Sequence, residues 1–539
     1  MRLIGFLRKE AGTSGYLYLI LGLISGFANA SIIKFIDFFV NEVINKKGIN
    51  EATEKHILIF LGILLTFFVC QRIFSKYLID LTQNIILKTR LSILEAIRNT
   101  DFIHFQQIGK EKIFTSLTQD TEKISNAAAS IVYATTYLVT VLFCLSYLAY
   151  VSLIGFALTL GIISLGIIIY SVRQNKIHAA LTDARDLQNQ LFKNIDELLS
   201  GFKEVKMSKE KNDDLFKNHI ESTGIKTKHL ASKAIISYLD NSITGQLFFF
   251  VLIGFILFYF PALTGNNEVV ISYIFIILYM LGPIEGLMAV VPAITQADIA
   301  LDRIAELKQK TEYFKKSEMV LDNTFTDFKS LSFNNISFSY PEKKAEKFSV
   351  GPVDLNINKG EIVFIVGGNG SGKTTFFKLL TGLYKPDSGS LQVNNEQVVS
   401  SEKYRDLFSA IYSDFYLFEK FYGMKNINET KVNEYLELMQ LSDKVKFENG
   451  RFSKTDLSTG QRKRLAMILS LLEDKPILVL DEWAADQDPK FRQFFYQELL
   501  PRLKNQGKTI IAITHDDKYF SVADNIYKME YGKFEKINL

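Results

Sequence analysis

Cysteine is nearly absent. Cys70 and Cys144 are the two in 539 residues, and both lie inside apolar runs. With no C-x-x-C and no histidine cluster, no disulfide or metal framework is expected, and both side chains default to packing as small hydrophobes. An excess of one charge is lacking too: 62 Lys and Arg face 58 Asp and Glu, a net +4 that is too small to argue for a nucleic-acid partner. The first ten residues, Met1–Glu10, have no long apolar core followed by a small-residue cleavage site, so a cleaved signal peptide is not expected. They read instead as an amphipathic stretch on the cytosolic membrane surface, with Ile4, Phe6 and Leu7 on its apolar side.

What is present divides the chain into unlike parts. The overall 48 % hydrophobic and 22 % charged composition averages an apolar first 300 residues with a polar remainder. Apolar runs of spanning length fall near 15–40, 57–79, 130–152, 154–172, 238–263 and 269–294. The third and fourth join through Val151-Ser-Leu-Ile-Gly155, which predicts a hairpin with a very short turn. The fifth and sixth are separated by the turn signal Pro261–Glu268.

The loops alternate between long and short. Residues 173–236 carry Arg173, Lys176, Arg185, Lys193, Lys203, Lys206 and six further lysines, while the loops near 153 and 265 carry no basic residue. The positive-inside rule then places the N-terminus, both long loops and the C-terminal part in the cytoplasm. Loop 41–55 holds Lys46, Lys47 and Lys55 on the predicted outside, beside Glu42, Glu51 and Glu54, and reads as a solvated mixed-charge loop. Residues 80–128 and 173–236 show helical spacing, which predicts helices continuing out of the membrane. Candidate elbows are Phe105-Gln-Gln-Ile-Gly109 and Ser200-Gly-Phe-Lys-Glu204.

Ionisable residues inside spans are costly and point to function by default. Lys34 and Asp37 lie one turn apart, where they either pair on a polar path or snorkel at the interface. Glu285, in Leu281-Gly-Pro-Ile-Glu-Gly286, reads as facing a cavity or the bundle, with Pro283 weakening or kinking the helix.

The second part carries the chemistry. Ile362-Val-Phe-Ile-Val366 reads as a buried strand and runs into Gly367-Gly-Asn-Gly-Ser-Gly-Lys-Thr-Thr375, followed by a helix-like Phe376–Leu380. This is G-x-x-x-x-G-K-[ST] between a strand and a helix. The backbone of Gly367, Gly368, Asn369, Gly370, Ser371 and Gly372 would turn its N–H groups toward phosphates, and the helix start adds partial positive charge. Lys373 would reach the β- and γ-phosphates, Thr374 would bind Mg²⁺ through its hydroxyl, and Thr375 completes the loop. Tyr340, at the end of the strand signal Leu331–Tyr340, is placed to stack on an adenine ring.

Three further motifs follow. Leu457-Ser-Thr-Gly-Gln-Arg-Lys-Arg464 opens a basic helix, a second anion-binding helix start. Pro476-Ile-Leu-Val-Leu-Asp-Glu482 is an apolar strand ending in two carboxylates, and Thr509-Ile-Ile-Ala-Ile-Thr-His515 is another ending in a histidine. Ligands collect at strand ends of an open parallel sheet. Asp481 suits Mg²⁺, Glu482 suits deprotonating an attacking water, and His515 suits a γ-phosphate contact.

These motifs resemble those of the ATP-binding cassette (ABC) superfamily, and the chain over essentially its full length resembles a half-size ABC exporter. Walker A is Gly367–Thr374, the signature is Leu457–Gln461 with Thr459 where glycine is commonest, Walker B ends at Asp481, and His515 matches the switch histidine. Ser458–Arg464, Asp481–Pro489 and Tyr404–Phe418 are most similar to the exporters of cyclic peptides, siderophore peptides and microcins. Two departures stand out. The glutamine expected to sense the membrane domain is replaced by Ser413 followed by Asp414, either of which could supply an oxygen. Of Trp483-Ala-Ala-Asp-Gln-Asp488, only Asp488 carries over cleanly to the loop after Walker B.

The resemblance implies an all-α six-helix transmembrane domain (residues 1–300) with long cytosolic helical extensions, a linker (301–330) and an α/β P-loop nucleotide-binding domain (331–539). It implies that Ser458, Gly460 and Gln461 of one subunit complete the phosphate site of another, hence a dimer, most simply a homodimer. The expected activity is Mg²⁺- and ATP-dependent export of a cyclic or otherwise peptide-like substrate across the bacterial inner membrane. The alternatives are a lipid flippase or multidrug exporter of the same architecture, and an ATP-gated membrane peptide sensor or immunity protein.

Overall fold

The computed structural model describes residues 5, 14–39, 54–259, 267–315, 327–340, 348–398, 401–425 and 427–537. The amphipathic start at Ile4, Phe6 and Leu7, most of loop 41–55 and the turn after Pro261 lie outside these residues. The chain forms two units. One comprises Met1–Glu95 and Glu111–Leu307, the other Ala96–Lys110 and Lys308–Leu539.

The first unit is built on long helices: Ser14–Phe38, Glu54–Arg98, Thr121–Val151, Leu153–Ser200, Ser222–Phe258 and Asn267–Lys315. At 1.5 Å per residue the 48-residue helix reaches roughly 70 Å, more than twice the roughly 30 Å hydrocarbon core of a bilayer. Among the described residues, Glu54–Arg98, Lys110–Val151 and Val270–Thr311 are long and apolar enough to cross a membrane, and Leu153–Ile169 and Ile243–Phe258 are shorter apolar stretches. Ile57, Leu58, Leu61, Leu65 and Phe68 turn outward from Glu54–Arg98, an apolar face suited to lipid.

The short turn after Val151 is a single residue, Ser152, whose hydroxyl accepts from the Gly155 N–H. The Tyr273 hydroxyl donates to the carbonyls of Leu148 and Ser152, and a Cβ on Gly155 would lie 2.4 Å from the Tyr273 ring. Asn267–Lys315 runs unbroken through both Pro283 and Pro292, so neither ends the helix. Membrane bundles tolerate proline because neighbouring groups take up the freed carbonyls. Asp37 is buried and accepts from the Tyr147 hydroxyl, Glu285 accepts from the Gln246 amide, and Lys34 is exposed.

The second unit holds two main sheets. Strands β1 (Ser330–Ser339), β2 (Ser349–Asn358), β4 (Ser388–Val393) and β5 (Glu396–Gln397) form an antiparallel sheet in the order β2-β1-β4-β5. Strands β3 (Ile362–Val366), β6 (Phe408–Ile411), β9 (Ile477–Asp481), β10 (Thr509–Ile513), β11 (Asn525–Glu530) and β12 (Lys533–Ile537) form the other, in the order β12-β11-β3-β10-β9-β6. A small hairpin pairs β7 (Phe447–Glu448) with β8 (Arg451–Phe452). In the larger sheet only β12 is antiparallel. Its centre, β3, β10 and β9, is buried at every position, as expected of apolar runs covered on both faces. β10 lies between β3 and β9, so their carboxyl ends bring the phosphate loop, His515 and Glu482 to one edge.

Residues 96–110, distant in sequence, pack with this unit. The first predicted elbow is a short helix, Phe102–Ile108, ended by Gly109 at φ 82°. Phe102 lies beside the Tyr384 ring, Gln106 accepts from the Tyr384 hydroxyl at 2.7 Å, and Asp101 pairs with Lys385 at 3.2 Å. The second elbow is the short helix Phe202–Met207 after Gly201, in the first unit.

Candidate nucleotide-binding site

The phosphate loop leaves β3 at Gly367 and enters the helix Lys373–Leu380 through Gly372. Gly372 sits at φ 104°, a left-handed conformation that side chains disfavour. A Cβ on Gly367 would lie 2.2 Å from the Met529 carbonyl oxygen, so the loop packs against β11 only because that position is glycine. The buried Lys373 donates to the carbonyls of Gly367 and Gly368 at 2.9 and 3.0 Å, which holds its ammonium over the loop. The Ser371 hydroxyl is buried without a hydrogen-bond partner among the described residues. A cavity of about 370 Å³ opens here, lined by Phe348, Asn369, Gly370, Gly372, Lys373, Thr374, Thr375 and Glu482. Its glycine backbone, lysine and helix start form a cradle for phosphate oxygens.

Asp481 ends β9 beside this loop. Its carboxylate is 3.5 Å from the Thr374 hydroxyl and accepts from the Ser413 N–H at 3.4 Å. Burial pushes the Asp481 carboxyl above its usual range, and the Ser413 N–H opposes that shift. A buried carboxylate next to a hydroxyl fits Mg²⁺, which is held by one or two carboxylates together with substrate phosphates. Of the two residues at the departed glutamine position, Ser413 is the one bonded to Asp481.

Glu482 follows at φ 49° and ψ 39°, a strained turn that sets its side chain at the cavity. His515 Nε2 lies 3.2 Å from Glu482 Oε1, which joins the ends of β10 and β9. Tyr340 follows β1, and its hydroxyl is 3.0 Å from the Thr375 hydroxyl. Its ring lies edge-on to Phe338 and Tyr384. Phe348, opposite Tyr340 across the strand ends, is the aromatic ring that lines the cavity. Sequence reasoning gave Phe348 no role, because only the pairing of the two strand ends carries it there.

Ser458 precedes the helix Thr459–Leu472 and is exposed, and neither it nor Gly460 nor Gln461 lines the cavity of its own chain. A Cβ on Gly460 would meet the Asp486 carbonyl at 2.5 Å, and the Gln487 amide donates to the Gly460 carbonyl at 3.0 Å. Asp488 caps the helix Pro489–Phe494 through the Phe491 N–H and pairs with Arg464 at 2.7 Å. The Phe491 N–H, with Arg464, holds the Asp488 carboxyl below the usual range. The odd loop after Walker B is thus bonded to the signature helix through Arg464 and Gln487, 2.8 Å apart. Both residues stood in the sequence motifs, but neither motif says what its polar groups touch.

Comparison with known proteins agrees with this geometry. Residues 350–485 match the model "ABC transporter", and residues 16–284 match "ABC transporter transmembrane region". The chain is 32 % identical over 533 residues to "ATP-binding protein SyrD" of Pseudomonas syringae pv. syringae, covering 95 % of this chain and 92 % of that protein. It is 28 % identical over 222 residues to the "Spermidine/putrescine import ATP-binding protein PotA" of Thermobifida fusca, covering 39 % of this chain and 56 % of that one. The fold is similar to "a bacterial Atm1-family ABC exporter with ATP bound", with TM-score 0.75, 15 % identity and coverage of 97 % of this chain and 94 % of that one. With a membrane region, one cassette and a relative matched over nearly its whole length, the chain belongs to the ABC transporters, as a multi-pass half-transporter and transport ATPase whose architecture implies dimerisation.

Proposed function

We propose that this protein is a homodimeric exporter that uses ATP to move a cyclic or otherwise peptide-like substrate, such as a siderophore precursor or lipopeptide, across the bacterial inner membrane. The observation that carries the reading of an ATP-using membrane transporter is the 32 % identity to ATP-binding protein SyrD over 95 % of the chain. The motif resemblance to cyclic-peptide exporters supports it. The bonds between Arg464, Gln487 and Asp488 give those motif residues a shared structural purpose within the cassette.

In this reading the phosphates lie on the backbone of Gly367–Gly372, with Lys373 on the β- and γ-phosphates. The base rests at the strand ends of Tyr340 and Phe348. Thr374, Asp481 and Ser413 would hold Mg²⁺, which would neutralise phosphate charge. Glu482 takes the proton of the attacking water, and His515 holds the Glu482 carboxylate and reaches the γ-phosphate. Ser458, Gly460 and Gln461 serve the partner's nucleotide, since they stand outside the cavity of their own chain. Closure of the cassettes, both on the cytoplasmic side with the N-terminus, turns the membrane cavity outward, and hydrolysis resets it.

Uptake into inside-out vesicles tests this, comparing the parent with Glu482→Gln. Cyclic-peptide uptake that needs ATP and is lost in the variant is expected, whereas equal uptake by both would sink the pump reading. ATPase stimulated by lipids or small drugs, and not by cyclic peptides, would instead favour a flippase or drug exporter.

A further inference from the structure

Among the described residues Glu482 is the one carboxylate lining the cavity, and its backbone is left-handed, a conformation that non-glycine residues rarely adopt without external support. That support is visible. The Glu482 N–H donates to the Ile513 carbonyl at 3.2 Å, and its own carbonyl accepts from Lys463 Nζ at 2.7 Å. Lys463 is 3 % exposed, and its ammonium also lies 2.6 Å from Asp486 Oδ2. The indole of Trp483, itself 1 % exposed and stacked on Phe495, donates to the Lys463 carbonyl at 2.9 Å. Lys463 therefore grips the turn at Glu482, Asp486 fixes the ammonium, and Trp483 fixes the lysine backbone.

We propose that Lys463, with Asp486, is a positioning residue for the catalytic base: its bond to the Glu482 carbonyl holds the left-handed turn that aims the Glu482 carboxylate into the nucleotide cavity. A buried ammonium with one carboxylate and one carbonyl acceptor is an expensive arrangement to retain for packing alone. The residue stands in the first turns of the helix Thr459–Leu472, which also presents Gly460 and Gln461. One helix thus holds the base of its own subunit while offering its start to the partner's nucleotide. The inference rests on reading Glu482 as the base.

The test uses the full-length chain in nanodiscs, with Lys463→Met, Lys463→Arg, Asp486→Asn and Glu482→Gln. For each, thermal unfolding, affinity for a fluorescent ATP analogue and kcat for ATP are measured. Misplacing a reacting group by about 1 Å costs on the order of 100-fold in rate. The expected result is a 10- to 100-fold fall in kcat for Lys463→Met and a smaller fall for Asp486→Asn. Lys463→Arg should recover part of the rate, and analogue affinity should stay within about twofold throughout. In the Glu482→Gln background, Lys463→Met should lower the residual rate no further, because both changes act through one group. Parental kcat in Lys463→Met or Asp486→Asn would overturn the proposal. So would an equal fall in the Glu482→Gln background, or a rate loss matched by lost nucleotide affinity. Asp486→Asn leaves the lysine in place and carries the test if Lys463→Met does not fold. If Glu482→Gln alone keeps parental turnover, the base reading itself fails, a result distinct from parental kcat in Lys463→Met.

Discussion

Asp481 sits where its own charge is disfavoured. Burial raises its pKa above that of the unfolded chain, so its contribution to folding is most favourable below the ordinary carboxylate range and is lost as pH rises through the folded value. The prediction is that Asp481→Asn unfolds at a higher temperature than the parent at neutral pH in Mg²⁺- and nucleotide-free buffer. The gap should close as pH falls below about 4, and ATP hydrolysis should be lost at every pH. A lower Tm at neutral pH would show instead that the carboxylate is needed to hold the fold. Residues of this kind are legible in sequence because their chemistry is local: a strand ends, and a carboxylate or glycine follows. Ser413 stood out only through the resemblance, and Phe348 and Lys463 not at all. Each gains its role from a neighbour 68, 8 or 19 positions away, brought close by strand pairing or helix packing.

At the scale of elements, helical spacing in residues 80–128 anticipated long helices and a short elbow, but not what the elbow touches. The helix Phe102–Ile108 meets Tyr384, which also lies edge-on to Tyr340 and stacks on Phe338 at 5.0 Å between centroids. Tyr340 in turn bonds to Thr375 of the phosphate loop. Thr375, Tyr340, Tyr384 and Gln106 therefore form a continuous run of contacts. Tyr384→Phe removes only the hydroxyl bonded to Gln106, a loss of about 0.5–1.5 kcal/mol in stability. Reconstituted Tyr384→Phe should bind and hydrolyse ATP within about twofold of the parent while moving several-fold less substrate per ATP. Unchanged coupling would remove this run of contacts from the account. Pro283 argued for a weakened or kinked helix; the helix continues through it, since proline costs less where neighbouring helices take up freed carbonyls.

For the whole molecule, the division into apolar and polar parts could be read from composition, because a bilayer imposes it on every span. The exposed Ser458 carries a prediction about assembly. Chains bearing Lys373→Ala should be inactive as homodimers, and so should chains bearing Ser458→Arg. A tagged heterodimer of the two concentrates both defects in one site and leaves the other intact, so it should recover measurable ATPase. A heterodimer of the parent with a doubly substituted chain damages both sites and should not. Equal activity in the two heterodimers would mean that each cassette works alone. The boundary between the parts has its own consequence. Because Ala96–Lys110 belongs with the cassette, no single cut in the chain frees that domain whole. A fragment beginning at Leu331 leaves behind the partner of Tyr384 and Lys385, and exposes to water a patch that the intact chain covers with its own distant segment. Homologous cassettes cannot be exchanged between such proteins as interchangeable parts unless that fifteen-residue segment travels with them.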